Sequence, residues 1–303
     1  MIYTVTLNPS VDYFVDLDQF SIGELNRVKK EKKMPGGKGI NVSRVLTRLQ
    51  TTSKAFGFIG GFTGDFVRTA LENETISAQF IDVPGETRIN VKIKAEKETE
   101  LNGEGPKIET HHFEALQAQI ASLKSGDWLV LAGSVPPSLP KDIYHTLMAI
   151  ASGHGAHTIV DTTGDFLKQT LAFGPFLIKP NKHELEAYYG ESADNIPKTV
   201  LLAKRLLQEG AENVIVSMGG EGALFINREE SLMASVPKGE VKNSVGAGDS
   251  LVAGFLSAYS AKPDLHEAFR FGVAAGSATA FSVDLCTPER VRALLPEVKI
   301  EKL

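Results

Sequence analysis

The chain has 303 residues, of which 42% are apolar and 23% are charged, and its formal net charge is −5. This composition excludes a disordered chain, and the mildly acidic balance argues against a general binder of nucleic acid or of anionic membranes. Its single cysteine, Cys286, excludes an internal disulfide framework. No apolar run of about 18 residues and no secretory leader is visible, so we expect a cytoplasmic protein.

Short apolar or β-branched runs alternate with amphipathic stretches almost from end to end. Predicted strands cover residues 2–7, 54–59, 128–132, 158–161, 176–179, 213–217 and 223–226. Predicted helices cover residues 40–49, 65–73, 113–123, 141–151, 182–189, 198–208, 247–260, 265–280 and 288–295. Repeated strand–helix–strand units predict an α/β fold with a doubly wound, mostly parallel sheet flanked by helices, and no linker composition divides residues 1–303 into two domains.

Two segments interrupt this alternation. Residues 12–33 contain short strand-like pieces around Gly23, and in residues 88–101 the run RINVKIKA alternates polar and apolar side chains. Such alternation predicts a strand with one buried apolar face and one wet polar face. The two segments could pair into a small extra sheet that covers a ligand, forms a dimer contact or is an ordinary surface hairpin.

Residues 243–250, NSVGAGDS, come directly before an apolar helix. Glycines at a helix start let backbone N–H groups converge on an anion, and the helix dipole favours negative charge there. Asp249 would then accept a proton from an attacking hydroxyl, while the amides of Gly246, Ala247 and Gly248 hold the charge of a moving phosphoryl group. The alternative is a helix start that Asp249 merely caps.

Residues 35–44, PGGKGINVSR, place glycines and one lysine ahead of an amphipathic helix. Gly37 would permit close backbone approach to a polar ligand, Lys38 would add a cation, and Asn41 can both donate to and accept from a sugar hydroxyl. A flexible turn with a solvated lysine would use the same residues.

Residues 179–186, KPNKHELE, follow a predicted strand, where ligands bind in doubly wound folds. Asn181 and Glu184 lie one helical turn apart and could hold Mg²⁺ mostly through water. A capping box, in which Asn181 caps the helix and Glu184 reaches back, explains the pair equally well.

Two further links follow predicted strands. Residues 217–222, SMGGEG, could lie under a nucleotide, although a plain hairpin needs the same glycines. In residues 132–137, AGSVPP, the hydroxyl of Ser134 could meet a sugar phosphate.

The order of these motifs along the whole chain resembles that of the PfkB-type, ribokinase-like carbohydrate kinases. GGKGINVSR and NSVGAGDS are similar to the two signatures of that family, and KPNKHELE to its Asn-x-x-Glu motif. TLNPSVDYFV, GELNRV, TRINVKI and ETELNGEGP look most like the 1-phosphofructokinase branch, whose close neighbour is tagatose-6-phosphate kinase. The resemblance implies ATP- and Mg²⁺-dependent phosphorylation of fructose 1-phosphate at the C6 hydroxyl, giving fructose 1,6-bisphosphate. Tagatose-6-phosphate kinase is the alternative, and a non-catalytic sugar-phosphate sensor is a remoter one.

The resemblance also implies roles for individual residues. Asp249 is the expected catalytic base, residues 246–248 the anion hole, and Asn181 with Glu184 the pair that organises Mg²⁺-bound water. The expected nucleotide-side residues are Lys179, Asn181, Ser217, Gly219 and Gly222. The expected sugar-side residues are Asp12, Gly37, Lys38, Asn41, Arg88, Asn90 and Ser134. Residues of about 12–33 and 88–105 would form a small β-sheet lid, and the partners would be small-molecule substrates and a second copy of the chain, bound through the lid.

Overall fold

The computed structural model describes residues 1–303. Its strands are β1 (Ile2–Thr6), β2 (Ser10–Asp16), β3 (Lys30–Gly36), β4 (Ser53–Ile59), β5 (Ser77–Asp82), β6 (Arg88–Lys94), β7 (Thr99–Asn102), β8 (Trp128–Ala132), β9 (His157–Asp161), β10 (Leu177–Ile178), β11 (Asn213–Ser217), β12 (Ala223–Ile226), β13 (Ser231–Ala234) and β14 (Ile300–Lys302). Its helices are α1 (Lys38–Arg48), α2 (Gly61–Asn73), α3 (Thr110–Ala121), α4 (Ile143–Gly153), α5 (Gly164–Leu171), α6 (Lys182–Tyr189), α7 (Ile196–Glu209), α8 (Ala247–Ala261), α9 (Leu265–Ala280) and α10 (Pro288–Leu294). None of these helices combines the length and the apolar character needed to cross a bilayer.

Ten strands form the main sheet, in the spatial order β14-β13-β12-β11-β10-β9-β8-β1-β4-β5. Every neighbouring pair from β11 to β5 is parallel, whereas β12, β13 and β14 extend one edge with antiparallel pairs. Along β8, Leu129 and Leu131 join one apolar cluster while Val130 joins another, because alternate side chains point to opposite faces. Helices α3 to α7 cover the first face and helices α1, α8, α9 and α10 the second, which confirms the predicted doubly wound fold.

The predicted strands and helices are all present, with ends shifted by a few residues, but four elements were not expected. Strands β5, β13 and β14 lie toward the edges of the main sheet, and α5 is a helix of 8 residues. Strand β5 buries only one of its 6 residues fully, so it carries no continuous apolar run that could mark it. Hydrophobic periodicity therefore does not predict short strands at the edge of the sheet.

The remaining four strands form a separate small sheet in the order β3-β2-β6-β7. Strands β2 and β6 are parallel, and the outer two pairs are antiparallel, so the two interrupting segments do pair with each other. The expectation that β6 has a wet polar face is wrong at Asn90, which is only 6% exposed, while Ile89 is 42% exposed. The polar face of β6 is turned toward other polar side chains, because Asn90 Nδ2 donates to Asp12 Oδ1 at 3.0 Å.

The small sheet and its connecting loop expose several large apolar side chains. Ile22 is 90% exposed and Leu25 is 79% exposed, in the loop between β2 and β3. Phe20, Val28 and Leu101 are also exposed. A cluster of this kind in one part of a surface is typical of an interaction site.

Candidate active site

Asp249 lies in the first turn of α8 and is only 6% exposed. Its Oδ2 accepts a hydrogen bond of 2.8 Å from Asn41 Nδ2, so the tip of α8 is joined to α1. The helix starts after Gly246, whose φ of +79° lies in the left-handed region that glycine favours, and no side chain caps it. The alternative in which Asp249 merely caps the helix is therefore wrong.

The surroundings of Asp249 change its acidity. Burial raises the pKa of Asp249 to about 6, and the nearby Asp161 carboxylate acts in the same direction. The hydrogen bond from Asn41 and the charges of Lys38 and Lys179 oppose that rise in pKa. A carboxylate with a pKa close to the working pH is suited to accepting a proton from an alcohol.

Asp161 is a central residue of the site that the sequence reading missed. It ends β9, its side chain is 3% exposed, and it lies between Lys38 Nζ at 2.8 Å and Lys179 Nζ at 3.3 Å. Burial raises the pKa of Asp161, but Lys179 and Lys38 outweigh it, so the pKa is lowered and the carboxylate stays ionised. Its position at the carboxyl end of a parallel strand was the available signal, the same one that singled out residues 179–186.

Lys38 is not the solvated turn lysine of the alternative interpretation. Burial lowers its pKa, but Asp161, Asp249 and Glu184 outweigh burial and raise the pKa above its usual range. The glycines beside it serve close packing, since a Cβ on Gly37 would lie 2.5 Å from the Thr6 Cγ2 atom. Lys38 is therefore a firmly charged cation held between α1 and β9.

Lys179 lies beside the predicted anion hole. A Cβ on Gly248 would be 3.2 Å from Lys179 Nζ, so a cation faces the turn formed by residues 246–248. Glycine thus leaves the backbone of this turn open to an incoming anion.

Asn181 and Glu184 form a complete capping box at the start of α6. Glu184 N donates to Asn181 Oδ1 at 2.8 Å, and Asn181 N donates to Glu184 Oε2 at 2.8 Å. The capping interpretation therefore holds, and it leaves Glu184 Oε1 without a protein partner among these bonds.

The nucleotide-side glycines lie in a hairpin between β11 and β12. Met218 N donates to the Gly222 carbonyl at 2.9 Å, and Gly222 N donates to the Gly219 carbonyl at 3.1 Å. Gly222 has φ +104°, and a Cβ there would be 2.2 Å from the Ala234 carbonyl oxygen, so only glycine fits. Ser217 pairs with Asn181 in an isolated parallel bridge, which brings this hairpin next to α6.

The sugar-side residues of the small sheet form a second connected group. Asp12 Oδ1 accepts from Asn90 Nδ2 at 3.0 Å and from Ser10 Oγ at 2.7 Å. Arg88 Nη2 donates to Ser134 Oγ at 3.2 Å, and its other nitrogens donate to the carbonyls of Asn8 and Gly103. Hydrogen bonds to three separate segments of the chain thus fix the orientation of the guanidinium.

A narrow pocket has both Asp12 and Asn41 in its wall, so it lies between the small sheet and α1. A larger cleft of about 520 Å³ lies between the small sheet and residues 240–245. The two share Phe14, Met34, Asn243 and Val245 in their walls, so they adjoin, and Asp12 and Asn41 are the predicted site residues that line the narrower one. Gly219 and Gly222 line neither of these two pockets.

The pfkB family of carbohydrate kinases matches residues 5–291 of the chain. The chain is 51% identical to the 1-phosphofructokinase of Bacillus subtilis (strain 168), over 100% of both chains. It is 37% identical to the D-tagatose-1-phosphate kinase of Bacillus licheniformis, again over 100% of both. A tagatose-6-phosphate kinase of Staphylococcus epidermidis is 37% identical over 85% of this chain and 84% of its own.

Among solved structures, the tetrameric inhibited form of phosphofructokinase-2 from Escherichia coli superposes with a TM-score of 0.91. It is 30% identical, and the match covers 98% of both chains. Sequence and fold agree that this is a sugar kinase, a phosphotransferase with an alcohol acceptor. The chain belongs to the pfkB family of carbohydrate kinases.

Proposed function

We propose that the enzyme transfers the γ-phosphoryl group of ATP to the C6 hydroxyl of fructose 1-phosphate, giving fructose 1,6-bisphosphate and ADP. The observation that carries this proposal is the buried Asp249 carboxylate at the start of α8, with a pKa of about 6 and a hydrogen bond from Asn41. The B. subtilis relative, named 1-phosphofructokinase, supports the choice of acceptor.

In the proposed reaction the C6 oxygen attacks the γ-phosphorus, the bond from that phosphorus to ADP breaks, and the hydroxyl proton passes to Asp249. The amides of residues 246–248 and the cations Lys38 and Lys179 would offset the charge that spreads over the transferring group. Asp161 would keep both lysines in place, because it contacts each of them. This assigns the catalytic step to groups at the carboxyl edge of the main sheet.

A kinase of this family requires a divalent metal ion with its nucleotide, and we propose Mg²⁺. The donor set fits an ion held through water, because Mg²⁺ keeps several of its water ligands and the capping box uses Glu184 Oε2 but not Oε1. Glu184 and Asn181 would hold the ion's water ligands. When bound, Mg²⁺ supplies positive charge that neutralises the phosphates.

For the nucleotide we propose the side of the site formed by Lys179, Asn181 and the hairpin that carries Ser217, Gly219 and Gly222. The hairpin lies next to α6 through the bridge between Ser217 and Asn181. Its glycine turn presents backbone without side chains, which suits close approach of a flat base.

For the sugar we propose that Asp12, Asn90 and Asn41 bind hydroxyl groups and that Arg88 and Ser134 bind the phosphate at C1. Arginine suits this task because its fork of N–H groups matches phosphate oxygens. Fructofuranose is pseudo-symmetric about its ring, so the position of the bound phosphate decides whether C1 or C6 faces Asp249.

We further propose that the small sheet, from residues of about 12–33 and 88–105, is a lid over one kinase domain. The cleft of about 520 Å³ beneath it would narrow on closure and exclude water, which competes as an acceptor. The exposed Ile22 and Leu25 support pairing of two lids in a homodimer, and the E. coli relative, which was solved as a tetramer, is oligomeric too. The enzyme would work in the cytoplasm.

The test is an ADP-release assay with fructose 1-phosphate, fructose 6-phosphate, tagatose 1-phosphate, tagatose 6-phosphate and ribose as acceptors. We expect the highest kcat/KM with fructose 1-phosphate. A higher kcat/KM with tagatose 6-phosphate would favour the alternative that the S. epidermidis relative supports. No bisphosphate from the wild-type enzyme with any acceptor would favour a sensor.

A further inference from the structure

A buried hydroxyl supports the loop that carries Ser134. Tyr144, in α4, is 1% exposed, and its hydroxyl donates to the Gly133 carbonyl at 3.0 Å. Thr162 Oγ1 reaches the same carbonyl at 3.4 Å. One side chain from α4 and one from the residue after β9 therefore bond to the same carbonyl group.

The backbone at Gly133 connects the two parts of the site. Gly133 N donates to the Asp161 carbonyl at 3.1 Å, while the next residue, Ser134, accepts from Arg88 Nη2 at 3.2 Å. Gly133 has φ +99°, and because glycine adopts many other conformations as readily, hydrogen bonds are needed to fix this one. The direction of the Ser134 hydroxyl thus depends on how firmly the Gly133 peptide is fixed.

The Tyr144 hydroxyl is not needed for packing. The ring lies among apolar side chains and is 5.5 Å from the Phe166 ring, an environment that phenylalanine would fill equally well. A hydroxyl buried there without a partner would destabilise the fold, so its value lies in the bond that it makes. Burial raises the pKa of Tyr144 to about 12, so the hydroxyl remains a donor at neutral pH.

We propose that Tyr144 is a positioning residue for the phosphorylated end of the acceptor. Its hydroxyl fixes the Gly133 peptide so that Ser134 Oγ and the Arg88 guanidinium form one phosphate-binding unit. Tyr144 itself touches neither substrate, and its effect passes through Ser134. The inference rests on the proposed function, because it assigns the phosphate of the sugar to this unit.

A double-mutant cycle between Tyr144→Phe and Ser134→Ala tests the proposal. Its readouts are the Kd for fructose 1-phosphate by calorimetry and the KM for the same sugar. We expect each single change to raise both constants about five- to tenfold, and the double variant to be no weaker than the weaker single variant. The kcat and the KM for ATP should stay within about twofold of wild type, because the phosphate contact is made equally in the ground and transition states.

Tyr188→Phe is the matched control. It removes a tyrosine hydroxyl that bonds to Glu209 at the surface, and it should leave the Kd unchanged. Thermal unfolding checks that each variant is folded. If Tyr144→Phe does not fold, Thr162→Val removes the second donor to Gly133, and we expect it to raise the Kd about two- to threefold.

The outcomes separate this inference from the proposed function. Binding of fructose 1-phosphate with strong coupling between the two sites, but without turnover, supports the inference and contradicts the proposed function. Turnover with additive single effects, or with an unchanged Kd in the folded Tyr144→Phe variant, supports the function and overturns the inference. If the wild-type enzyme does not bind fructose 1-phosphate, the inference fails as well.

Discussion

At the carboxyl edge of the main sheet, Asp249 and Asp161 are almost fully buried among Lys38, Lys179 and backbone amides. In the small sheet and its surroundings, by contrast, Arg88 is only partly buried and is aimed by backbone carbonyls and one serine hydroxyl. In the first region, Asp161 contacts both lysines directly. In the second, the Arg88 guanidinium keeps part of its surface exposed.

This difference predicts that the two regions affect different kinetic constants. Charges fixed around the reacting atoms act most strongly on the transition state, so their loss lowers kcat. A cation that pairs with a phosphate already present on the substrate stabilises ground and transition state alike, so its loss raises KM. Substitutions in the first region should therefore lower kcat and those in the second should raise KM. Three changes test that separation, and a fourth tests the exposed apolar loop between β2 and β3.

The largest effect is expected from Asp249→Asn. The amide keeps the size of the side chain but cannot accept the proton, so we expect kcat to fall about a thousandfold with little change in the KM for fructose 1-phosphate. Rapid-quench measurement of the first turnover checks that the chemical step is affected. A loss confined to KM would remove Asp249 from the catalytic role.

Asp161→Asn should follow, with a fall in kcat of about a hundredfold, because Lys38 and Lys179 lose their shared counterion. Asp161 also raises the pKa of Asp249. Since the base must be ionised, the wild-type kcat should fall as the pH drops below about 6, and the variant's acid limb should move to lower pH.

Asp284→Asn is the control for this change. Asp284 is a partly buried carboxylate that contacts Arg44 and Arg48 instead of the site lysines. Its loss should lower stability but leave the acid limb of kcat where it is. An acid limb that stays in place in Asp161→Asn as well would contradict the coupling of the two carboxylates.

Arg88→Ala should raise the KM for fructose 1-phosphate about ten- to a hundredfold and change kcat by less than about threefold. Arg68→Ala, which removes a guanidinium paired with Asp82 away from the cleft, is the control. An unchanged KM for fructose 1-phosphate in Arg88→Ala would contradict the proposal that Arg88 binds the phosphate.

The smallest kinetic effect is expected from the paired change Ile22→Ser and Leu25→Ser. It removes exposed apolar surface from the small sheet, so we expect dissociation to monomers by sedimentation and changes in kcat of about twofold or less. Leu201→Ser, at an apolar side chain 60% exposed on α7, should leave the oligomer intact. A monomeric wild-type enzyme would remove the homodimer from the proposal.

The sequence allowed prediction of the main sheet, and it singled out Asp249 as the candidate base, because both leave local patterns. Apolar runs mark strands that are buried on both faces, and two glycines with one acid at a helix start suit an anion-binding turn as well as an ordinary cap. The pairing of residues 12–33 with residues 88–101 was one of several possibilities, since pairing between distant segments is decided by the whole fold.

Asp161 and Asn90 show what local patterns cannot supply. Asp161 follows an ordinary strand, and its importance arises from Lys38 and Lys179, which come from positions distant in the chain. The alternating pattern of its strand predicts that Asn90 faces solvent, but Asn90 is buried against Asp12. In both cases a partner brought in by tertiary structure changes the environment of a polar side chain.

Because the pKa of Asp249 is raised, we expect a fall in pH to stabilise the folded protein and to lower kcat. A carboxyl group with a pKa near 3.8 when unfolded and about 6 when folded binds its proton more tightly in the folded chain, so its contribution to stability is complete below about pH 4 and is lost as the pH rises through 6. That contribution is on the order of 3 kcal/mol. Replacing the group by asparagine should therefore raise the Tm at pH 7.5 relative to wild type and leave it nearly unchanged at pH 4.5, which calorimetry can measure. The residue proposed as the catalytic base is thus one without which the fold would be more stable at neutral pH.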